Sequence, residues 1–193
     1  MAQMSFYSAE AQDVRLADLA GLLCGPGQVV RFGASGTARL SIVLADGDRA
    51  PALRAAMAER GVSTEETVSE CGSPALRTAF RRDLVELAGQ WCSGAVKAVP
   101  EGFVLDGALL RMWVLATGVE DRRSGYLLGL DPHAPQTHVP LAQAVTRLGL
   151  PVLRLGPRGA GPGLRIAGVR SRRRLAELVG PVPEYASSSY WPC

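Results

Sequence analysis

Leu19-Ala20-Gly21-Leu22-Leu23-Cys24-Gly25-Pro26-Gly27 decides the fold of this chain. Leu19, Leu22 and Leu23 recur at helical spacing and predict one apolar helix face. Gly21 has no side chain, so a second helix can approach closely there. Pro26 and Gly27 end the helix and reverse the chain. A second helix of this kind would pair with the first as the axis of a two-fold protein.

Outward from this stretch the pattern alternates helices and hairpins. The first helix is expected over 13–24, with Asp13 as its N-cap. Strands follow at 28–32 and 38–45, joined by the turn Gly33-Ala34-Ser35-Gly36. Leu40, Ile42 and Leu44 alternate with Arg39, Ser41 and Val43, so one face is core and the other partly open. A helix at 51–60 has Leu53 and Met57 four apart and Gly61 as its cap. A weaker hairpin spans 62–79, and a helix at 81–91 turns Leu84, Leu87 and Ala88 inward. After a linker around Val99-Pro100 the order starts again: an apolar helix at 107–116, a polar turn at 120–125, a strand at 126–130 and a helix at 140–148. Strands at 151–155 and 163–167 and a helix at 172–179 complete it. Leu153, Leu155, Leu164 and Ile166 are expected on one face, Arg154 and Arg165 on the other. The glycine-rich stretch 156–163 lacks the Gly-Lys-Ser/Thr of a phosphate loop and reads as a hairpin turn.

The two halves align at one offset. Residues 81–89 match 172–180 at six of nine positions, a shift of 91. The same shift places Leu19 over Leu110 and Gly27 over Gly118. Two distant segments sharing one offset point to an internal duplication. The expected fold is α+β, a pseudo-two-fold pair of α-β-β-α-β-β-α units. The expected divisions are a first repeat at 1–98, a linker at 99–106, a second repeat at 107–183 and a tail at 184–193.

Leu19-Ala20-Gly21-Leu22 followed by Gly27 resembles the LAGLIDADG motif of homing endonucleases, and Leu109-Leu110-Arg111-Met112-Trp113 through Gly118 resembles its second copy. The resemblance implies two central motif helices, with two antiparallel sheets forming a saddle that binds double-stranded DNA. It also implies an acidic, metal-binding residue before the final glycine of each motif. Those positions are Pro26 and Thr117. Phosphodiester cleavage needs carboxylates that hold the activating metals. Nuclease activity is therefore expected to be lost, with no catalytic residue, metal or other cofactor retained. The resemblance implies a bacterial DNA-binding regulator as one role. The family's regulators carry an added helix-turn-helix domain, and none is legible here.

Under that reading the DNA contacts are Arg31, Arg39, Arg122, Arg123, Arg154, Arg158 and Arg165, on open strand faces or hairpin tips. Net charge is +3, divided as −3 over 1–106 and +6 over 107–193. That is modest for a nucleic-acid binder. Lys97 is the only lysine, a bias of genome composition that weakens any argument from arginine alone. A second reading therefore stays open. In it the saddle takes a small molecule or a peptide, with or without a non-nuclease enzymatic activity. Its open positions would include Val43, Tyr126, Leu128 and Leu130, and its polar groups Lys97, Tyr126, His133 and His138. Four scattered cysteines without a CxxC pair read as reduced thiols, and the two histidines lack metal-ligand spacing. No secretory signal or membrane-spanning run is legible, so a cytoplasmic monomer with an internal two-fold is expected.

Overall fold

The computed structural model describes residues 8–33, 36–121, 125–158 and 161–193. The first unit runs α1 (Ala20–Cys24), β1 (Gly27–Arg31), β2 (Ala38–Val43), α2 (Ala50–Glu59), β3 (Thr64–Val68), β4 (Pro74–Thr78) and α3 (Val85–Trp91). A small hairpin, β5 (Cys92–Ser93) and β6 (Val96–Lys97), leads into the second unit. That unit runs α4 (Gly107–Thr117), β7 (Val119–Asp121), β8 (Gly125–Gly129), α5 (His138–Arg147), β9 (Val152–Leu155), β10 (Gly163–Ala167) and α6 (Val169–Val179). The two four-stranded antiparallel sheets have equivalent strand orders, β1-β2-β4-β3 and β7-β8-β10-β9. This is the duplicated α+β architecture expected from the repeat.

The axial helices α1 and α4 pack on each other at the centre of one continuous core. Every α4 residue is buried except Arg111 and Thr117, which are half-buried. Arg15 and Asp106 stand just before the two axial helices, and Arg15 Nη2 donates to Asp106 Oδ2 at 3.0 Å. They are separated by 91 residues, the repeat offset. Leu84 and Leu87, at the start of α3 and within it, and their repeats Leu175 and Leu178 in α6 are all buried. Each buried leucine stabilises the fold by roughly 1.5–3 kcal/mol relative to exposure.

Several local expectations are corrected. The entry to α1 is a 3₁₀ turn, Leu16–Leu19, preceded by Arg15 rather than capped by Asp13. Its buried Asp18 accepts from the Arg15 backbone N–H and from Arg60 Nε. α3 begins at Val85 because Arg81 forms a bridge with Ala38 instead of a helical turn. Within the expected polar turn 120–125, residues up to Asp121 belong to edge strand β7. Tyr126, Leu128 and Leu130 are buried against the helices rather than open. The register also reverses two leucines. Leu153 lies opposite Arg165, and Arg154 opposite Leu164. Cross-strand partners share a face, so Leu153 and Leu155 lie with Arg165 on the side away from the helices. Leu153 is 61% exposed. The 181–193 tail lacks regular structure apart from turns, yet Tyr190 and Trp191 sit in the core. Trp191 Nε1 donates to Gly180 O at 2.9 Å.

Candidate nucleic-acid interface

The C-terminal ends of α1 and α4 meet. A Cβ built on Gly25 would lie 2.9 Å from Thr117 Cγ2. The two motif positions, Pro26 and Thr117, are thus brought together at the axis. Thr117 Oγ1 donates to Trp113 O at 3.2 Å and accepts from the Gly129 N–H at 3.1 Å. Trp113 Nε1 donates to Gly129 O at 2.9 Å. Thr117 therefore ties its helix to the neighbouring strand.

A helix C-terminus leaves carbonyls unpaired and carries the negative end of the dipole. Here each axial end meets a buried cation. Lys97 Nζ donates to the Gly25 and Gly27 carbonyls, at 2.6 and 2.7 Å, and to Asp131 Oδ2 at 3.0 Å. Gln28 Nε2 donates to the same Asp131 oxygen at 2.6 Å, and the His133 N–H donates to Asp131 Oδ1 at 2.9 Å. At the α4 end, Arg49 donates to Leu115 O at 2.9 Å and Gly118 O at 2.5 Å. Its guanidinium lies over the Tyr190 ring, 4.0 Å from the centroid. Burial pulls the Lys97 pKa down, against the pull of Asp131, and burial lowers that of Arg49. Burial also pushes the Cys24 thiol up.

These ends do not fit a divalent metal. Proline offers no side-chain donor atom, and the Thr117 hydroxyl is engaged on both sides. The nearby buried carboxylate, Asp131, already holds an ammonium and an amide. Hard divalent cations take several oxygen ligands, carboxylates prominent among them. Among the described residues no group of three or more His, Cys, Asp or Glu side chains is placed to hold one.

The sheet faces turned away from the helices differ. On the first, Gln28, Val30, Arg39, Ser41 and Arg77 share a side. Arg77 pairs with Glu65 at 2.7 Å, and the Arg39 guanidinium lies 4.6 Å from the Phe80 ring centroid. On the second, Val119, Leu127, Leu153 and Leu155 surround the Arg165–Asp121 pair. The first face is mainly polar, with Val30 and Val43 also open on it, and the second is mainly apolar.

Of the expected DNA contacts, Arg39 and Arg165 lie on these open faces. Arg31 does not. It lies opposite buried Ala38, and its Nη2 donates to Val85 O of α3 at 3.4 Å. Arg154 shares the helix-facing side and lines a cavity with Val139, Gln143 and Arg147. Arg158 is exposed at the turn between β9 and β10. Arg122 and Arg123 lie outside the described residues. The four residues of the ligand reading do not form one pocket. Tyr126 is fully buried and donates to Tyr190 O at 2.6 Å. Lys97 is locked at the α1 end, and the His133 side chain is 89% exposed. The His138 ring meets Asp131 O at 2.8 Å and lines a cavity of about 360 Å³ with Pro132, Arg154 and Leu155. Sequence reasoning missed Gln28, Arg49 and Asp131. The one legible signal was Asp131 itself, the last acid before Glu177.

No family model matches the chain, and comparison with curated proteins finds no match. Solved structures are similar to it. The homing endonuclease I-WcaI bound to its DNA recognition sequence matches with a TM-score of 0.62 at 12% identity, over 98% of this chain and 86% of that one. Full-length DUF199/WhiA from Thermatoga maritima matches with a TM-score of 0.58 at 12% identity; the match covers 96% of this chain but 59% of that one. A variant of I-DmoI in complex with its target DNA matches with a TM-score of 0.53 at 13% identity, over 87% and 96% of the two chains. The chain is LAGLIDADG-like in fold, with a duplicated unit about two axial helices.

Proposed function

We propose that the chain binds double-stranded DNA across the open faces of its two sheets and does not cut it. The observation carrying this reading is that a built-in cation occupies each axial helix end. Lys97 and Arg49 take the carbonyls there, while Pro26 and Thr117 stand at the motif positions. The likeness to a DNA-bound homing endonuclease supports the saddle as the binding surface. Arg39 and Ser41 of the first sheet offer hydrogen bonds to phosphates and base edges. The internal duplication supplies a pseudo-two-fold within one chain, so a monomer suffices. A role as a regulator in a bacterial cytoplasm fits binding without cleavage.

A second reading rests on the apolar face of the second sheet. Val119, Leu127, Leu153 and Leu155 there suit a peptide or small apolar ligand better than a phosphate backbone. One experiment separates the two. Purified protein is incubated with genomic duplex fragments and magnesium, then examined for retarded mobility and for strand breaks. Retarded, intact DNA is the expected result. Cleaved DNA would overturn the inactive reading, and unretarded DNA at low salt would favour the ligand.

A further inference from the structure

Positions 132–176 hold eight arginines and no lysine, aspartate or glutamate. Only one of the eight, Arg165, faces the open side of the second sheet, and it is paired with Asp121. Most of the others gather outside the saddle. Arg170, Arg173 and Arg174 of α6 line a cavity of about 660 Å³ with Gly149, Pro151 and Glu177. Gly149 and Arg174 also line the next cavity, which reaches Arg147. Arg147 lines a third, which reaches Arg154 on edge strand β9. Five arginines thus follow one another along the flank with a single carboxylate, Glu177, among them. Arg154 and Arg170 are exposed, and their side chains make no bond among the described residues.

We propose that this flank, from α6 across the end of α5 to β9, is a second contact surface for the phosphate backbone of duplex DNA. The inference rests on the reading that the chain binds DNA. Spacings of three and four residues put Arg170, Arg173 and Arg174 on one side of α6, while Leu175, Leu178 and Val179 face the core. A run of positive charge of this kind matches a regularly spaced polyanion. The cavity beside α6 has no Trp, Phe, Leu or Ile in its lining, so it lacks the apolar anchors of a membrane-surface helix. Among the described residues the saddle leaves Arg39 without an acidic partner; on the flank Arg173 and Arg174 share Glu177 at 3.7 and 3.8 Å, and Arg147, Arg154 and Arg170 have none, so the flank carries more of the neutralising charge.

The test compares duplex binding by the wild-type chain, by an Arg154→Gln/Arg170→Gln/Arg173→Gln variant and by a saddle variant, Arg39→Gln/Ser41→Ala, over a salt series. Folding of each is checked by its thermal midpoint. The flank variant is expected to bind on the order of a hundredfold more weakly at about 0.1 M salt, with a salt slope smaller by about 2.7, or about 0.9 for each lost phosphate contact. In parallel, bound duplex is expected to protect Arg170 and Arg173 of the wild-type chain from phenylglyoxal. Unchanged affinity and slope in the flank variant, with binding lost in the saddle variant, would overturn the flank and leave the saddle reading standing. The reverse pattern would uphold the flank and overturn the saddle. Absence of wild-type binding at low salt, or flank-dependent binding of anionic vesicles instead of duplex, would overturn both.

Discussion

Gly21 and Met112 face each other across the axis, 91 residues apart, and a Cβ built on Gly21 would lie 2.7 Å from the Cβ of Met112. It would also overlap the carbonyl oxygen of Leu109. Backbone cannot step aside as a flexible side chain can. The glycine of one motif thus sets how closely the two axial helices pack. That spacing in turn sets the positions of the two helix ends and of the sheets beside them.

Gly21→Ala is therefore expected to destabilise the chain by about 1–3 kcal/mol through overpacking. Gly156→Ala serves as the control, because a Cβ there meets nothing within 4 Å. Its effect is expected to stay within about 0.5 kcal/mol. Denaturant midpoints at constant slope measure both. Equal midpoints for the two variants would mean that the axial contact is looser than described.

The cations at the helix ends are expected to matter for folding before they matter for binding. Lys97→Met leaves Asp131 buried without its ammonium and two carbonyls without their donor. Removal of one partner of a buried pair costs about 3–5 kcal/mol. Replacing both, as Lys97→Met/Asp131→Leu, is expected to recover part of that loss. A double-mutant cycle from chemical denaturation reads the coupling, and additive losses would contradict it.

Stability is expected to fall at alkaline pH. Burial raises the Cys24 thiol above its ordinary 9.0 and the Tyr126 hydroxyl above its ordinary 10.0. The folded chain keeps these protons while the unfolded chain releases them. The thiol's contribution is lost as pH rises beyond 9.0 and the hydroxyl's as it rises beyond 10.0, by up to about 1.4 kcal/mol per pH unit for each group. Lys97 acts oppositely. Its depressed value means that its burial cost fades as pH climbs towards 10.5. Comparing the pH slopes of wild type and Cys24→Ala isolates the thiol, and identical slopes between pH 9 and 10 would contradict the assignment.

Cys71 is expected to be the first cysteine alkylated. It is exposed in the turn between β3 and β4, and the hydroxyls of Ser69 and Ser73 hold its thiol down to about 7. Iodoacetamide labelling followed by peptide mass spectrometry should show a midpoint near that pH, with Cys24 unmodified until the chain unfolds. Ser69→Ala/Ser73→Ala should move the midpoint up towards 9. Unmoved labelling would show that the hydroxyls do not act on the thiol.

The elements were legible wherever one phase of the pattern was apolar and the other polar. Leu40, Ile42 and Leu44 against Arg39 and Ser41 identified the core face of β2, and Leu53 with Met57 identified that of α2. The reading failed where both phases were apolar. In β8, Leu127 lies between Tyr126 and Leu128, so alternation alone did not say which face met the helices. In β9, only pairing with β10 revealed that Leu153 turns outward. The motif positions Pro26 and Thr117 were legible because a named residue type was missing from a fixed place. Their replacement partners were not. Lys97 and Asp131 are 34 residues apart, and Arg49 reaches Leu115 across 66, so no local spacing announces either contact.

The proposal that the saddle holds duplex DNA intact is open to direct measurement. Its most direct test is a fluorescence-anisotropy titration of labelled genomic duplex pools in magnesium over a salt series, with the recovered strands run under denaturing conditions. Saturable binding that weakens steeply with salt, with strands of unchanged length, is the expected result. No anisotropy change at low salt, or shortened strands, would contradict it.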